Sequence, residues 1–116
     1  MGHFGVTARL TGPTGRSEQV ELLVDTGATL VVLPRSLADR LEVQTRRFQR
    51  VVIAGGAEAD WPVAEVRVAI EGREVPTLCF IAPEGPPLLG AVALESLFLL
   101  VDPMARRLVP TKGLVV

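Results

Sequence analysis

An aspartate lies between two apolar runs in the first third of the chain, where residues 22–33 read LLVDTGATLVVL. Asp25 is followed by Thr26 and Gly27, and all three residue types are common in turns. A carboxylate between buried strands is costly unless it is hydrogen-bonded or paired. Carboxyl groups can act as general acid or general base, and two held together share one proton. The segment 25–28 is therefore the first candidate for a catalytic site, and an ordinary turn is the alternative interpretation.

Other combinations of reactive residues are scarce in this sequence. It contains one cysteine, Cys79, and one histidine, His3, so a disulfide within the chain is impossible. A zinc site rich in cysteine or histidine is excluded for the same reason. The formal net charge is −1, whereas binding to nucleic acid requires a basic face. We therefore expect no metal, no cofactor and no nucleic-acid partner, and we expect Cys79 to be buried and His3 to be idle.

The elements that must position Asp25 are short strands separated by turns rich in glycine and proline. The sequence at 64–70 alternates apolar and polar residues, which predicts a half-buried strand. We predict strands at 4–10, 18–24, 30–33, 64–70 and 75–81, and helices at 36–41 and 91–98. The first helix is expected to begin at the cap Ser36 with Asp39 as its reciprocal partner, and the second to bury Phe98. The whole chain, residues 1–116, is expected to form one domain.

The sequence also bears on location. Its first residues have no basic region followed by an apolar run, as a secretory signal would have. The longest apolar stretch, 86–101, contains Glu95 and is short for a membrane span. We therefore expect a cytoplasmic protein with no membrane partner.

A second motif, Leu88-Leu89-Gly90, precedes the second predicted helix. Together with Asp25-Thr26-Gly27-Ala28, in this order and at this spacing, it resembles the retropepsin-like aspartic proteases. These are single-domain relatives of pepsin from retroviruses, with cellular and prokaryotic versions, and we place this chain in the latter branch. The resemblance covers about residues 3–110. It implies an all-β closed barrel or sandwich with one or two short helices, and an active site at a two-fold dimer interface.

The resemblance also implies a mechanism. Each chain of a homodimer supplies one Asp25, and a water activated between the two carboxyls hydrolyses a peptide bond, without metal or cofactor. Thr26 is implied to bond across the dimer, and Gly27 to let the substrate backbone approach closely. One alternative is a catalytically silent module of the same fold, kept for dimerisation or peptide binding. Another is an unrelated β-barrel in which the motif is accidental.

Further residues are assigned to substrate binding through the same resemblance. The hairpin around 53–58 is expected to be a mobile flap with paired glycines at its tip, and an ordinary tight hairpin is the alternative. The predicted substrate-binding residues are Gly27, Thr29, Ile53, Ala54, Gly55, Gly56 and Leu88. Retroviral members carry an Asp where this chain has Thr29 and an Arg where it has Ala91. In retroviral members this Asp and this Arg form a pair, and this chain lacks both of them. We therefore expect its dimer affinity and the register of its substrate to differ from those of retroviral members.

Ala28 leads to a prediction about pH. Relatives with serine or threonine at this position can donate a hydrogen bond to the catalytic carboxylate, whereas alanine cannot. We therefore predict a weakly acidic pH optimum for peptide cleavage. The measurement is the cleavage rate against pH, and a maximum at pH 3 or below would contradict the prediction.

Overall fold

The computed structural model describes residues 3–115 and is built mainly of β-strands. The strands are β1 (Gly5–Thr11), β2 (Ser17–Val24), β3 (Val31–Pro34), β4 (Arg47–Val52), β5 (Glu58–Ile70), β6 (Arg73–Ala82), β7 (Leu88–Leu89), β8 (Leu99–Asp102) and β9 (Arg107–Pro110). The helices are α1 (Arg35–Arg40) and α2 (Ala91–Leu97). Strands β1–β7 form one sheet in the order β1-β2-β7-β3-β6-β5-β4, and β8 pairs with β9.

The sheet closes because the long strand β5 pairs with three other strands. It pairs with β4 through its first half and with β6 through its second half. It also pairs with β1, where Leu10 lies opposite Val68. This last pairing joins the first strand of the sheet to the far side, which makes a barrel. The predicted all-β class with two short helices is confirmed.

Alternating burial along β5 places one face of this strand in the barrel core. Val66, Val68 and Ile70 are buried, whereas Glu65 and Arg67 are exposed. Burying such an aliphatic side chain contributes about 1.5–3 kcal/mol. Cys79 is also buried, as expected, and burial raises the pKa of its thiol to about 12. The thiol therefore stays protonated at neutral pH and is a poor nucleophile.

Helix α1 begins differently from the prediction. Its N-cap is Pro34, without a side-chain cap hydrogen bond, so the predicted capping by Ser36 and Asp39 is wrong. The reason is that β3 continues through Pro34, which pairs with Ala82, and the chain enters the helix directly afterwards. Asp39 instead lies 3.8 Å from the guanidinium of Arg35, one turn earlier.

The end of α2 also differs. The helix ends at Leu97, and Phe98 adopts a left-handed conformation with φ of 55°. This turn directs the chain into β8 and removes Phe98 from the buried face, so its side chain is 47% exposed and the predicted burial is wrong. Arg73 donates a hydrogen bond of 2.9 Å to the carbonyl of Leu97, which satisfies one acceptor at the helix end.

No helix within residues 3–115 is long and apolar enough to cross a membrane.

Candidate active site

Asp25 follows directly after β2, at the end of this strand. Its side chain is 29% exposed. The backbone N–H of Asp25 donates to the carbonyl of Leu89 at 3.0 Å, and Val24 pairs with Leu89 in the parallel β2–β7 ladder. On the other side of β2, the N–H of Val24 donates to the carbonyl of Phe4 at 2.8 Å. The Leu-Leu-Gly segment and the start of the chain therefore fix the strand end that carries the carboxylate.

The turn after Asp25 orients the carboxylate with its own backbone. The N–H of Gly27 donates to Asp25 Oδ1 at 3.0 Å, and the N–H of Ala28 donates to the Asp25 carbonyl at 3.1 Å. Aspartate commonly makes such a bond to the residue two positions on. Thr26, Gly27 and Thr29 are exposed, and Ala28 is half-buried. One carboxylate oxygen is thus held by the turn, and the outer side of the turn faces solvent in the single chain.

Helix α2 supports the turn from behind. The N–H of Ala91 donates to the carbonyl of Ala28 at 2.8 Å, and that of Val92 to the carbonyl of Thr29 at 3.0 Å. Gly90 makes this close approach feasible. A Cβ at this position would lie 2.4 Å from the carbonyl oxygen of Leu30 and 2.7 Å from that of Ala28. The two motifs of the sequence therefore pack against each other through backbone atoms.

His3 lies beside the carboxylate, which sequence reasoning missed. Its Nε2 is 3.9 Å from Asp25 Oδ1, and the two side chains are 46% and 29% exposed. Arg106, in the turn between β8 and β9, donates a hydrogen bond of 2.9 Å to the His3 carbonyl. His3, which we expected to be idle, lies within ion-pair distance of Asp25. Its contact partners are distant in sequence, so no local pattern could have found it.

The hairpin between β4 and β5 has its tip at the predicted glycines. The N–H of Ile53 donates to the carbonyl of Ala57 at 2.7 Å, and that of Gly56 to the carbonyl of Ile53 at 2.9 Å. Gly55 and Gly56 have φ values of 96° and 93°. Such values favour glycine because they are costly for residues with a Cβ. Ile53 is half-buried, and Ala54 is exposed.

The single chain does not bring the hairpin tip and Asp25 together. Within residues 3–115, no hydrogen bond or ion pair links residues 53–58 to the Asp25 turn. Leu88, by contrast, lies close to the turn, because it pairs with Leu23 in β2 and with Val32 in β3. Residue 88 is half-buried and can be reached from outside.

Two cavities of about 320 and 350 Å³ lie on the outside of the barrel. Arg46, Glu65 and Arg67 line the first cavity, and Arg9 and Glu74 line the second. Asp25 lines neither of them. Within residues 3–115, no cluster of three or more His, Cys, Asp or Glu side chains is arranged to hold a metal ion. The Asp25 turn therefore lies outside both of these cavities.

Comparison with known proteins identifies the fold and the family. In a search of solved structures, EIAV protease in complex with the inhibitor HBY-793 matches with a TM-score of 0.67. The match has 21% sequence identity and covers 83% of this chain and 88% of that chain, and it shows that the fold is shared. Curated proteins gave no significant sequence match.

A family model gives the assignment at the level of sequence. The model of the gag-polyprotein putative aspartyl protease matches residues 15–96, which include both the Asp25 turn and the Leu-Leu-Gly segment. This match covers more than half of the chain. The chain therefore belongs to the retropepsin-like aspartyl protease family.

Proposed function

We propose that the protein is an aspartic endopeptidase that acts as a homodimer, with Asp25 of each chain in one catalytic pair. The observation that carries the proposal is the Asp25-Thr26-Gly27 turn. Its carboxylate is oriented by the Gly27 N–H at 3.0 Å, and its outer side is exposed. A second copy related by a two-fold axis would bring an identical turn against this side. A single chain therefore presents half of an active site.

The pair would hydrolyse a peptide bond by general acid–base catalysis. One carboxylate accepts a proton from a water molecule held between the two, and the water oxygen attacks the peptide carbonyl carbon. The other carboxyl donates its proton to the carbonyl oxygen as the tetrahedral intermediate forms. The first carboxyl then donates the proton that it took from water to the amide nitrogen, the second carboxylate takes a proton back from a hydroxyl of the intermediate, and the C–N bond breaks. One water molecule is consumed for each bond, and the carboxyl pair returns to its starting state.

Exposed apolar residues near the chain end are consistent with dimerisation. Leu100, Leu114 and Val115 are 54%, 87% and 99% exposed. A surface that binds a second copy would cover such side chains. Residues 111–115 have no regular structure in the single chain, and Val116 lies outside the described residues. We propose that this segment orders against the second copy.

A pool of unfolded peptides tests the proposal whatever the cleavage preference is. The pool is incubated with the protein between pH 3 and 8, and new termini are read by mass spectrometry. The expected result is a set of internal cuts that disappears with a statine-type transition-state mimic and in the Asp25→Asn protein. If the Asp25→Asn protein produces the same cuts as the wild type, the activity belongs to a contaminating protease. A confirmed dimer that cuts nothing would favour the silent binding module.

The hairpin tip gives a separate prediction, because we propose that it closes over the substrate. Trp61 packs edge-to-face on Phe80, with 6.3 Å between the ring centroids, and this contact anchors the base of the hairpin. The glycine tip, in contrast, is exposed. In Gly55→Ala/Gly56→Ala, added methyl groups meet nothing within 4 Å, but both residues keep a costly positive φ. We expect kcat/KM to fall about tenfold, because a strained tip adopts the closed conformation less often.

The matched control for this variant is Gly15→Ala/Gly72→Ala. These glycines also have positive φ and open surroundings, but they lie in other turns of the barrel. We expect a similar loss of stability and an unchanged kcat/KM at a temperature where all proteins are folded. An equal loss of kcat/KM in both double variants would refute a specific role for the hairpin tip.

A further inference from the structure

We propose that His3 is a functional residue of the active site that helps to hold the negative charge of the Asp25 pair in weakly acidic solution. This inference rests on the proposed protease function and adds a residue that the family assignment does not include. The motif-based assignment places all of the acid–base chemistry in the Asp25 turn. The structure adds a second ionisable group to it.

The position of His3 is fixed from several sides. Its Nε2 is 3.9 Å from Asp25 Oδ1, the same oxygen that accepts the hydrogen bond from Gly27. Its carbonyl accepts a hydrogen bond of 2.9 Å from Arg106 Nη2. The next residue, Phe4, accepts a hydrogen bond of 2.8 Å from the N–H of Val24, beside Asp25. The segment that carries His3 is therefore attached to the same strand end as the carboxylate.

Arg106 is itself held by an ordered turn. Asp102 Oδ1 accepts hydrogen bonds of 3.2 Å from the backbone N–H groups of Met104 and Ala105. These bonds shape the turn between β8 and β9, at whose end Arg106 lies with φ of 54°. A chain of contacts thus runs from Asp102 through the turn and Arg106 to His3. We assign Arg106 as a positioning residue for His3.

The charged groups around His3 are of both signs. Asp25 faces the imidazole, and the guanidinium of Arg106 lies at its backbone carbonyl. Glu21, on β2, lies beside Gly5, where its carboxylate is 2.7 Å from the position of an added Cβ. Asp25 is therefore the carboxylate in direct ion-pair range of the imidazole, and Glu21 lies near the following residues of the same segment.

Histidine is the side chain that ordinarily gains its charge between about pH 8 and 5. A protonated imidazole at this position would be a cation 3.9 Å from Asp25 Oδ1. A cation at this distance favours the ionised carboxylate over the neutral one. Catalysis requires that one carboxylate of the pair remains ionised as base, so His3 extends activity to lower pH. Ala28, which has no hydroxyl to donate, leaves this support to His3.

The pH dependence of kcat/KM tests the inference in His3→Gln, which keeps a polar side chain but cannot become charged. We expect the acidic limb of the profile to move to higher pH, because a cation beside the carboxylate favours its ionised form. Arg106→Gln should give a smaller shift in the same direction. Superimposable acidic limbs would overturn the proposal.

Arg16→Gln is the matched control, since it also removes one positive charge. Arg16 lies just before β2, at the opposite end of this strand from Asp25. The acidic limb of the Arg16→Gln profile should coincide with that of the wild type. A shift as large as that of His3→Gln would attribute the effect to net charge and overturn the proposed contact.

A second readout does not depend on catalysis. His3 is the only histidine, so in untagged protein its imidazole signals can be followed by NMR without assignment. We expect the midpoint measured in Asp25→Asn to be lower than that measured in the wild type, because the neighbouring negative charge is lost. An unchanged midpoint would overturn the contact. If the wild type cleaves nothing but the midpoint still falls, the proposed function fails while the His3–Asp25 interaction stands.

Discussion

Asp25→Asn should lower kcat/KM for peptide cleavage by at least about a thousandfold, while the protein remains folded and dimeric. General acid–base groups contribute about 10²–10⁴ to a rate, and in the proposed mechanism the Asp25 pair supplies both the acid and the base. Asparagine has nearly the same shape as aspartate but cannot take up or release the proton. Its side-chain oxygen can still accept the Gly27 N–H, which now lies 3.0 Å from Asp25 Oδ1. The turn should therefore keep its conformation, and the loss should be chemical.

The matched control for this substitution is Asp39→Asn. Asp39 is an exposed carboxylate on α1, and its side chain lies 3.8 Å from Arg35. The Asp39→Asn substitution removes the same charge. It should leave kcat/KM within about twofold of the wild-type value, because exposed ion pairs contribute little to stability. Circular dichroism and sedimentation would establish fold and dimer for both proteins. Asp25→Asn protein that cleaves at a tenth of the wild-type rate or faster would refute the role of Asp25.

Gly90→Ala should lower the free energy of unfolding by about 3 kcal/mol, the upper range for overpacking of a core. Gly90 has φ of −96°, which alanine adopts without strain, so the cost arises from the added methyl group. That group would meet the carbonyl oxygens of Leu30 and Ala28, at 2.4 and 2.7 Å. Both are backbone atoms, and the Ala28 carbonyl is also bonded to the Ala91 N–H at 2.8 Å. Relief of the clash requires movement of the Asp25 turn away from α2.

Urea unfolding followed by circular dichroism measures this loss. Gly72→Ala is a suitable control, because Gly72 has φ of 81° and no atom within 4 Å of the added methyl group. It should cost only the backbone strain, about 1–2 kcal/mol. In addition, Gly90→Ala should lose activity under conditions where most of the protein is folded, since the carboxylate is displaced. If Gly90→Ala is as stable as Gly72→Ala, the close packing of Gly90 against the Asp25 turn is refuted.

Local sequence patterns were sufficient for the elements whose burial alternates. The apolar set at 64–70 predicted the inner face of β5, and the family resemblance singled out the Leu-Leu-Gly segment, which pairs with the end of β2. Both depend on residue types within one segment or on a motif that recurs in relatives. These parts include the fold class and the position of the candidate carboxylate.

Other features could not be read from the sequence, because they depend on contacts between distant segments. The start of α1 is set by the pairing of Pro34 with Ala82, which overrode the local cap signal of Ser36. Phe98 is apolar and in phase with the helix, but the left-handed turn into β8 exposes it. His3 reaches Asp25 because the first residues run along β2, and Arg106 reaches His3 from the other end of the chain. Only the closed barrel brings these residues together.

If each chain holds half of an active site, Asp25→Asn chains should inactivate wild-type chains by forming mixed pairs with them. Wild-type protein is held at constant concentration, and Asp25→Asn protein is added until subunits have exchanged, with an unrelated protein as control. If pairs form at random and a mixed pair is inactive, activity should fall to about one half at equal amounts and about one tenth at ninefold excess. Wild-type activity that is unchanged at ninefold excess would show that one chain is sufficient, and it would contradict the account.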